Sequence, residues 1–143
     1  MIGKITSVAV LGDKRLEIAW DDGHVAPIDL SDVIAAHKGL APLKRKAEFA
    51  RVAMSADGWS LEWPSGVDFG APQLRRWADE QAGELMPVAD FRTWMDEHGL
   101  TQEAAAQALG LSRRMIGYYL SGEKPIPKTV MLATEGWAAR EEA

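Results

Sequence analysis

The segment Leu100–Gly122 constrains this chain more than any other part of it. It spells two short helices joined by a tight turn. Thr101 stands just before an alanine-rich run, where its hydroxyl can cap an exposed backbone N–H. The run Gln102 to Leu109 holds Ala104, Ala105, Ala106 and Ala108, all strong helix formers. Their small side chains also let a second helix pack closely. Gly110 offers the left-handed residue that ends a helix at low cost, and Leu111 returns an apolar side chain to the core. Ser112 can cap the next helix, leaving Arg113 and Arg114 in its first turn. Ile116 and Leu120 are four apart and share one face, which Leu111 and Tyr119 extend. The other face shows Arg113, Arg114, Gly117 and Tyr118. Gly122 closes the helix, and Pro125 and Pro127 prevent its continuation.

Leu100-Thr101-Gln102, Ala105-Ala106, Leu109-Gly110-Leu111-Ser112, Ile116 and Ser121-Gly122 together resemble the Xre/Cro/phage-repressor helix-turn-helix family. The resemblance runs from Phe91 to roughly Met131. In that family the Gln touches the DNA backbone or a base, and the exposed early residues of the second helix read bases. The resemblance thus implies Gln102, Ser112, Arg113, Arg114, Met115 and Tyr118 as DNA contacts. Gly117 stands where the family often has a polar contact residue, and Leu120 where it often has a charged one.

The chain has 143 residues, enough for one domain or two small ones. Hydrophobic content of 47% with 26% charged residues describes a globular chain rather than a disordered one. No apolar run approaches the roughly 18 residues that span a bilayer, and no basic-then-apolar leader is present, so no membrane association is expected. Cysteine is absent, which excludes disulfides, thiolate catalysis and zinc-finger ligation. A reducing cytoplasm is the simplest home. The net charge of −5 opposes DNA binding, because phosphate contacts supply most non-specific affinity. Its distribution relieves this: between Ser112 and Lys128, Arg113, Arg114, Lys124 and Lys128 face the single acid Glu123.

Residues 1 to about 86 follow another grammar. Ile5, Ser7, Ala9 and Leu11 alternate with Thr6, Val8 and Val10, and Arg15–Trp20 alternates more cleanly. Asp21-Asp22-Gly23-His24 reads as a hairpin turn, with Val25–Leu30 as the return strand. Pro27 cannot donate to a ladder, which predicts an edge strand. Ser31 or Asp32 can cap a short helix through Ala36. A polar connection follows, Lys38 to Glu48. Phe49–Met54 and Trp59–Trp63 alternate around Ala56-Asp57-Gly58 as a second hairpin. Pro72 starts a helix through Leu74, Trp77 and Ala78.

Within this part, Ile18–Gly23, the stretch Leu61–Phe69 and the helix after Pro72 resemble a family of small bacterial domains of unknown function. Those are short α+β sheets, often with a W-P-N-G-like turn after the last strand, and Ser65 replaces the usual asparagine here. The resemblance covers roughly residues 4 to 82 and implies a fold without implying a chemistry.

The expected architecture is α+β. A small antiparallel-sheet domain of four or five strands and two helices spans residues 1–84, and an all-α helix-turn-helix domain of about five helices spans 88–143. Gly83–Val88 reads as a short semi-rigid connection, and Phe91, Trp94 and Met95 place a helix from Asp90. Trp20, Trp63, Trp77 and Trp94 fall at apolar-pattern positions and read as core anchors.

Asp21, Asp22 and His24 lie close in sequence and could suggest a metal site, but a solvated hairpin turn is the simpler reading, since no second ligand cluster accompanies them. His37 and His98 fit helix ends, and Lys44-Arg45-Lys46 fits a solvated basic loop. No catalytic constellation, metal site or cofactor loop emerges, so an enzyme is not expected.

The function read from the sequence is sequence-specific DNA binding and transcriptional regulation, with the 112–120 helix in the major groove. Lys124 and Lys128 would hold phosphates. A homodimer on a palindrome is expected, through the N-terminal sheet edge or a Val130–Trp137 stripe. Two readings compete. One is an antitoxin-like protein whose N-terminal domain binds a toxin-like partner while the helix-turn-helix autoregulates the operon. The other is a helix-turn-helix used only for protein contact.

Overall fold

In the computed structural model, which describes residues 3–142, the alternating segment Arg15–Trp20 is a central strand. Strands β1 (Ile5–Gly12), β2 (Arg15–Trp20) and β3 (Val25–Asp29) form an antiparallel sheet in that order. Period-2 alternation sends Leu16, Ile18 and Trp20 of β2, with Ala26 and Ile28 of β3, into the core. β1 departs from simple alternation. A register irregularity between Ile5 and Ser7 brings Ile5 and Val8 to the same core, while Val10 and Leu11 stay exposed.

Pro27 sits on β3, which among the described residues has only β2 as a neighbour, so its missing N–H costs no ladder bond. Gln81 instead pins that strand: its side chain accepts from the Asp29 N–H and donates to the Asp29 carbonyl, both at 2.8 Å. Helix α1 (Ser31–Ala36) is not capped by Ser31 or Asp32 as expected. Asp29 Oδ1 accepts from the Ser31 N–H at 2.8 Å, because an Asx turn two residues upstream reaches that donor first.

The expected polar connection is helical. A 3-10 helix (Lys38–Lys44) and α2 (Lys46–Phe49) bury Leu43, Glu48 and Phe49. The expected strand Phe49–Met54 shrinks to β4 (Ala53–Met54). Packing overrides the alternating pattern here, because the Phe49 ring lies against Trp63 and its carbonyl accepts from Trp63 Nε1 at 3.0 Å. β5 (Ser60–Glu62) pairs with β4 and with β6 (Asp68–Gly70), giving a second antiparallel sheet. The Trp63–Val67 turn therefore joins two strands rather than following the last one, and the described residues of this unit hold six strands in two sheets instead of four or five. Gly58 in the β4–β5 turn has φ +77, and a Cβ there would lie 2.9 Å from the Ile5 carbonyl oxygen. Helix α3 (Ala71–Gln81) buries Ala71, Leu74 and Ala78 against this core, with Trp77 half-buried.

A first compact unit ends at Gln81 and a second begins at Ala82. The second contains α4 (Val88–Glu97), α5 (Gln102–Leu109), α6 (Arg113–Ser121) and α7 (Lys128–Glu142). The described residues of this unit hold four helices rather than about five, so it is helical as expected, with one two-residue strand pair beside the helices. β7 (Leu85–Met86) pairs antiparallel with β8 (Ile126–Pro127), so residues read as a connection belong to a small ladder. α4 begins at Val88 rather than Asp90, after Pro87 with φ −61. Phe91, Trp94, Met95, Ala105, Ala106, Ile116, Tyr119, Ile126 and Val130 are all buried in this unit's core. The α7 stripe offered as a dimer surface is largely spent on that core. Val130 and Thr134 are buried, and the Trp137 ring stands edge-on to Trp94 at 5.6 Å.

Candidate nucleic-acid interface

The two motif helices are set by their ends. Thr101 Oγ1 accepts from the Ala104 N–H at 3.1 Å and opens α5. Gly110 (φ +70) closes it, and the Leu111 N–H reaches back to the Ala106 carbonyl at 2.9 Å. Ser112 Oγ then accepts from the Met115 N–H at 3.1 Å and opens α6. Only Leu111 lies between the two terminators, so the chain turns sharply and α6 packs on α5 through the small Ala105 and Ala106.

The buried face of α6 is Ile116 and Tyr119, flanked by half-buried Met115 and Leu120. Tyr119 meets Phe91 edge to face at 5.9 Å, and burial raises its phenol pKa. Holding that face inward turns Arg113 and Arg114 to solvent. Both arginines belong to the first turn, where the helix dipole is already positive and which carries no acidic residue. That concentration of charge favours an anion in front of the helix.

The remaining candidates lie on or near the ends of α5, α6 and α7. Gln102 is the exposed first residue of α5. Tyr118 is half-buried, and the ammonium of Lys124 lies 4.8 Å from its ring centroid. Lys124 is exposed just beyond Gly122, and its N–H donates to the Tyr118 carbonyl at 3.3 Å. Lys128 is the exposed first residue of α7, with its Nζ 3.8 Å from Glu84 Oε1. One residue that holds the end of α6 escaped the sequence reading. Arg92 on α4 donates from Nη2 to the Leu120 carbonyl at 2.9 Å, at the end of α6. No local signal marks it, because its partner is a backbone group 28 residues away.

Residues 5–80 match a family model described as Protein of unknown function (DUF2442). The chain belongs to the DUF2442 family. Residues 91–133 match a helix-turn-helix family model, and both matches agree with the two resemblances read from the sequence. Among solved structures, a candidate DNA-binding protein from Nitrosomonas europaea is 39% identical, over 95% of this chain and 86% of that one, with a TM-score of 0.54. No curated protein matches the chain.

The DUF2442 unit is rich in held carboxylates. Glu48 Oε2 accepts from the Ser65 N–H at 2.8 Å and shapes the Trp63–Val67 turn. Hydrogen bonding from the Ser65 side chain and backbone, and more weakly the nearby Arg51, holds the Glu48 carboxyl below its ordinary pKa. At the β2–β3 turn, Asp22 accepts from the His24 N–H at 3.1 Å and from Arg75 Nη1 at 3.0 Å. The same Arg75 guanidinium lies over Trp20 at 5.1 Å. These bonds tie the hairpin to α3, a structural use for residues that resembled metal ligands in the sequence. The basic run Lys44-Arg45-Lys46 is exposed where the 3-10 helix meets α2.

Proposed function

We propose that this protein is a sequence-specific DNA-binding transcriptional regulator that lays α6 in the major groove. The observation that carries this reading is the exposed Arg113–Arg114 pair, on the first turn of a helix whose opposite face is locked into the core. Planar guanidinium groups there can take a guanine edge bidentately. Exposed Gln102, Lys124 and Lys128 offer one amide and two ammonium groups, suited to phosphate oxygens. The helix-turn-helix family match and the similarity to a candidate DNA-binding protein support the same reading. One short helix spans few base pairs, so the regulator acts as a homodimer on a two-fold site.

Selection of bound fragments from random duplex DNA tests this. The full chain should enrich one motif. Arg113→Ala with Arg114→Ala should abolish that enrichment while leaving the circular dichroism melt nearly unchanged. The salt slope of the parent should be steep and that of the variant shallower by about two contacts. Equal affinity of parent and variant across a salt series would sink the proposal.

A further inference from the structure

Gly117 is half-buried in the middle of α6, turned away from the buried Ile116 and Tyr119. Arg113 and Arg114 lie one turn before it and Ser121 one turn after it, so the row Arg113–Gly117–Ser121 runs along the exposed face with a notch at its centre. Nothing in the fold asks for glycine there. Its φ is not positive, and a Cβ would meet no atom within 4 Å. A helix-interior glycine lowers helix stability, and an alanine would be accommodated without any rearrangement of this chain. Gly136 on α7 shares this open space, but Gly117 alone stands on the face that carries Arg113 and Arg114, where a missing side chain leaves room for a group of a bound partner. Glycine is the residue of close backbone approach.

The floor of the major groove carries one apolar protrusion, the thymine C5-methyl. An α-helix with its side chains nearly fills the width of that groove, so a notch in the inward row is what admits such a group without lifting the helix. We infer that Gly117 sets the docking depth of α6 and seats a thymine methyl between Arg113 and Ser121. The inference rests on the DNA-binding reading and adds to it a residue and the base group that it faces.

The test begins with the site selected by the full chain. Gly117→Ala should raise Tm by about 4–8 °C. It should also weaken binding to that site by about 10-fold, a loss of ~1.4 kcal/mol. Gly136→Ala on α7, a second helical glycine with open space at its Cβ, should stabilise similarly and leave affinity unchanged. Replacing each thymine of the site by uracil removes one methyl at a time. At one position uracil should restore most of the affinity lost by Gly117→Ala and barely affect the parent. The inference is overturned if Gly117→Ala binds as well as the parent, or if no uracil substitution rescues it. If the parent selects no DNA at all, the DNA-binding reading itself has failed, an outcome distinct from either of these.

Discussion

Arg92 on α4 reaches the backbone carbonyl of Leu120 on α6, Nη2 to oxygen, at 2.9 Å. The bond places a cation at the negative end of α6, where the dipole and the unpaired carbonyls both favour it. It joins the first helix of the unit to the end of the helix that carries the arginines. Arg92→Ala should lower the thermal stability by about 0.5–1 kcal/mol, since the bond is exposed to solvent. On the proposed function, DNA affinity should fall by a few fold while the base preference stays unchanged, as expected of a residue that holds the helix without reading bases. Selection with the variant checks this: a changed consensus would mean that Arg92 itself contacts bases.

Acid should weaken the first unit in a defined way. Asp22, Asp29, Glu48 and Asp57 all have lowered pKa values, chiefly from hydrogen bonds donated by His24, Ser31, Ser65 and Trp59 respectively. A carboxyl with a depressed folded pKa stabilises fully above its unfolded value, and that contribution is lost as pH falls through the folded value. The loss should therefore begin below about pH 4, near the ordinary Asp and Glu values. Thermal melts from pH 7 to 2.5 check the window, and Glu48→Gln should melt with a shallower pH dependence than the parent. A parent Tm that is flat from pH 5 to 3 would contradict the assignment.

Separate cores predict that the two units fold independently. Leu16, Trp20, Leu61 and Leu74 belong to one, and Phe91, Ala105, Ile116 and Ile126 to the other. Fragments 1–81 and 82–143 should each give a dispersed amide spectrum that overlays on its half of the full-chain spectrum. Small units bury a modest fraction of their surface, so both should melt below the full chain or close to it. A collapsed spectrum from either fragment would show that it borrows stability from the other.

Dimerisation is expected on geometric grounds. Two recognition helices must be set about 34 Å apart to read successive turns on one face of DNA. Val130 and Thr134 are committed to the core of their own unit, so truncation after Lys128 would unfold that unit rather than separate protomers. Sedimentation with a selected duplex is the better measurement. Two protomers per site are expected, and a stoichiometry of one at saturation would rule the dimer out.

Much of the second unit was decided locally. Thr101, Gly110, Ser112 and Gly122 set helix ends through bonds within a few residues, and the alternation of Arg15–Trp20 set a strand in the same way. Such features depend on neighbours in the chain, so the amino-acid order alone determines them. Residues whose roles lie far along the chain were decided only by packing. Phe49 joined a helix because Trp63 covers it, and Leu85-Met86 became a strand because Ile126-Pro127 lies beside it. The α7 stripe turned inward because Trp94 offered Trp137 an aromatic edge, and Arg92 acquired its carbonyl 28 residues away. None of these pairs has a sequence period or a spacing to announce it. Burial and the demand for hydrogen-bond partners act on whatever the folded chain brings together, and tertiary structure alone supplies that proximity.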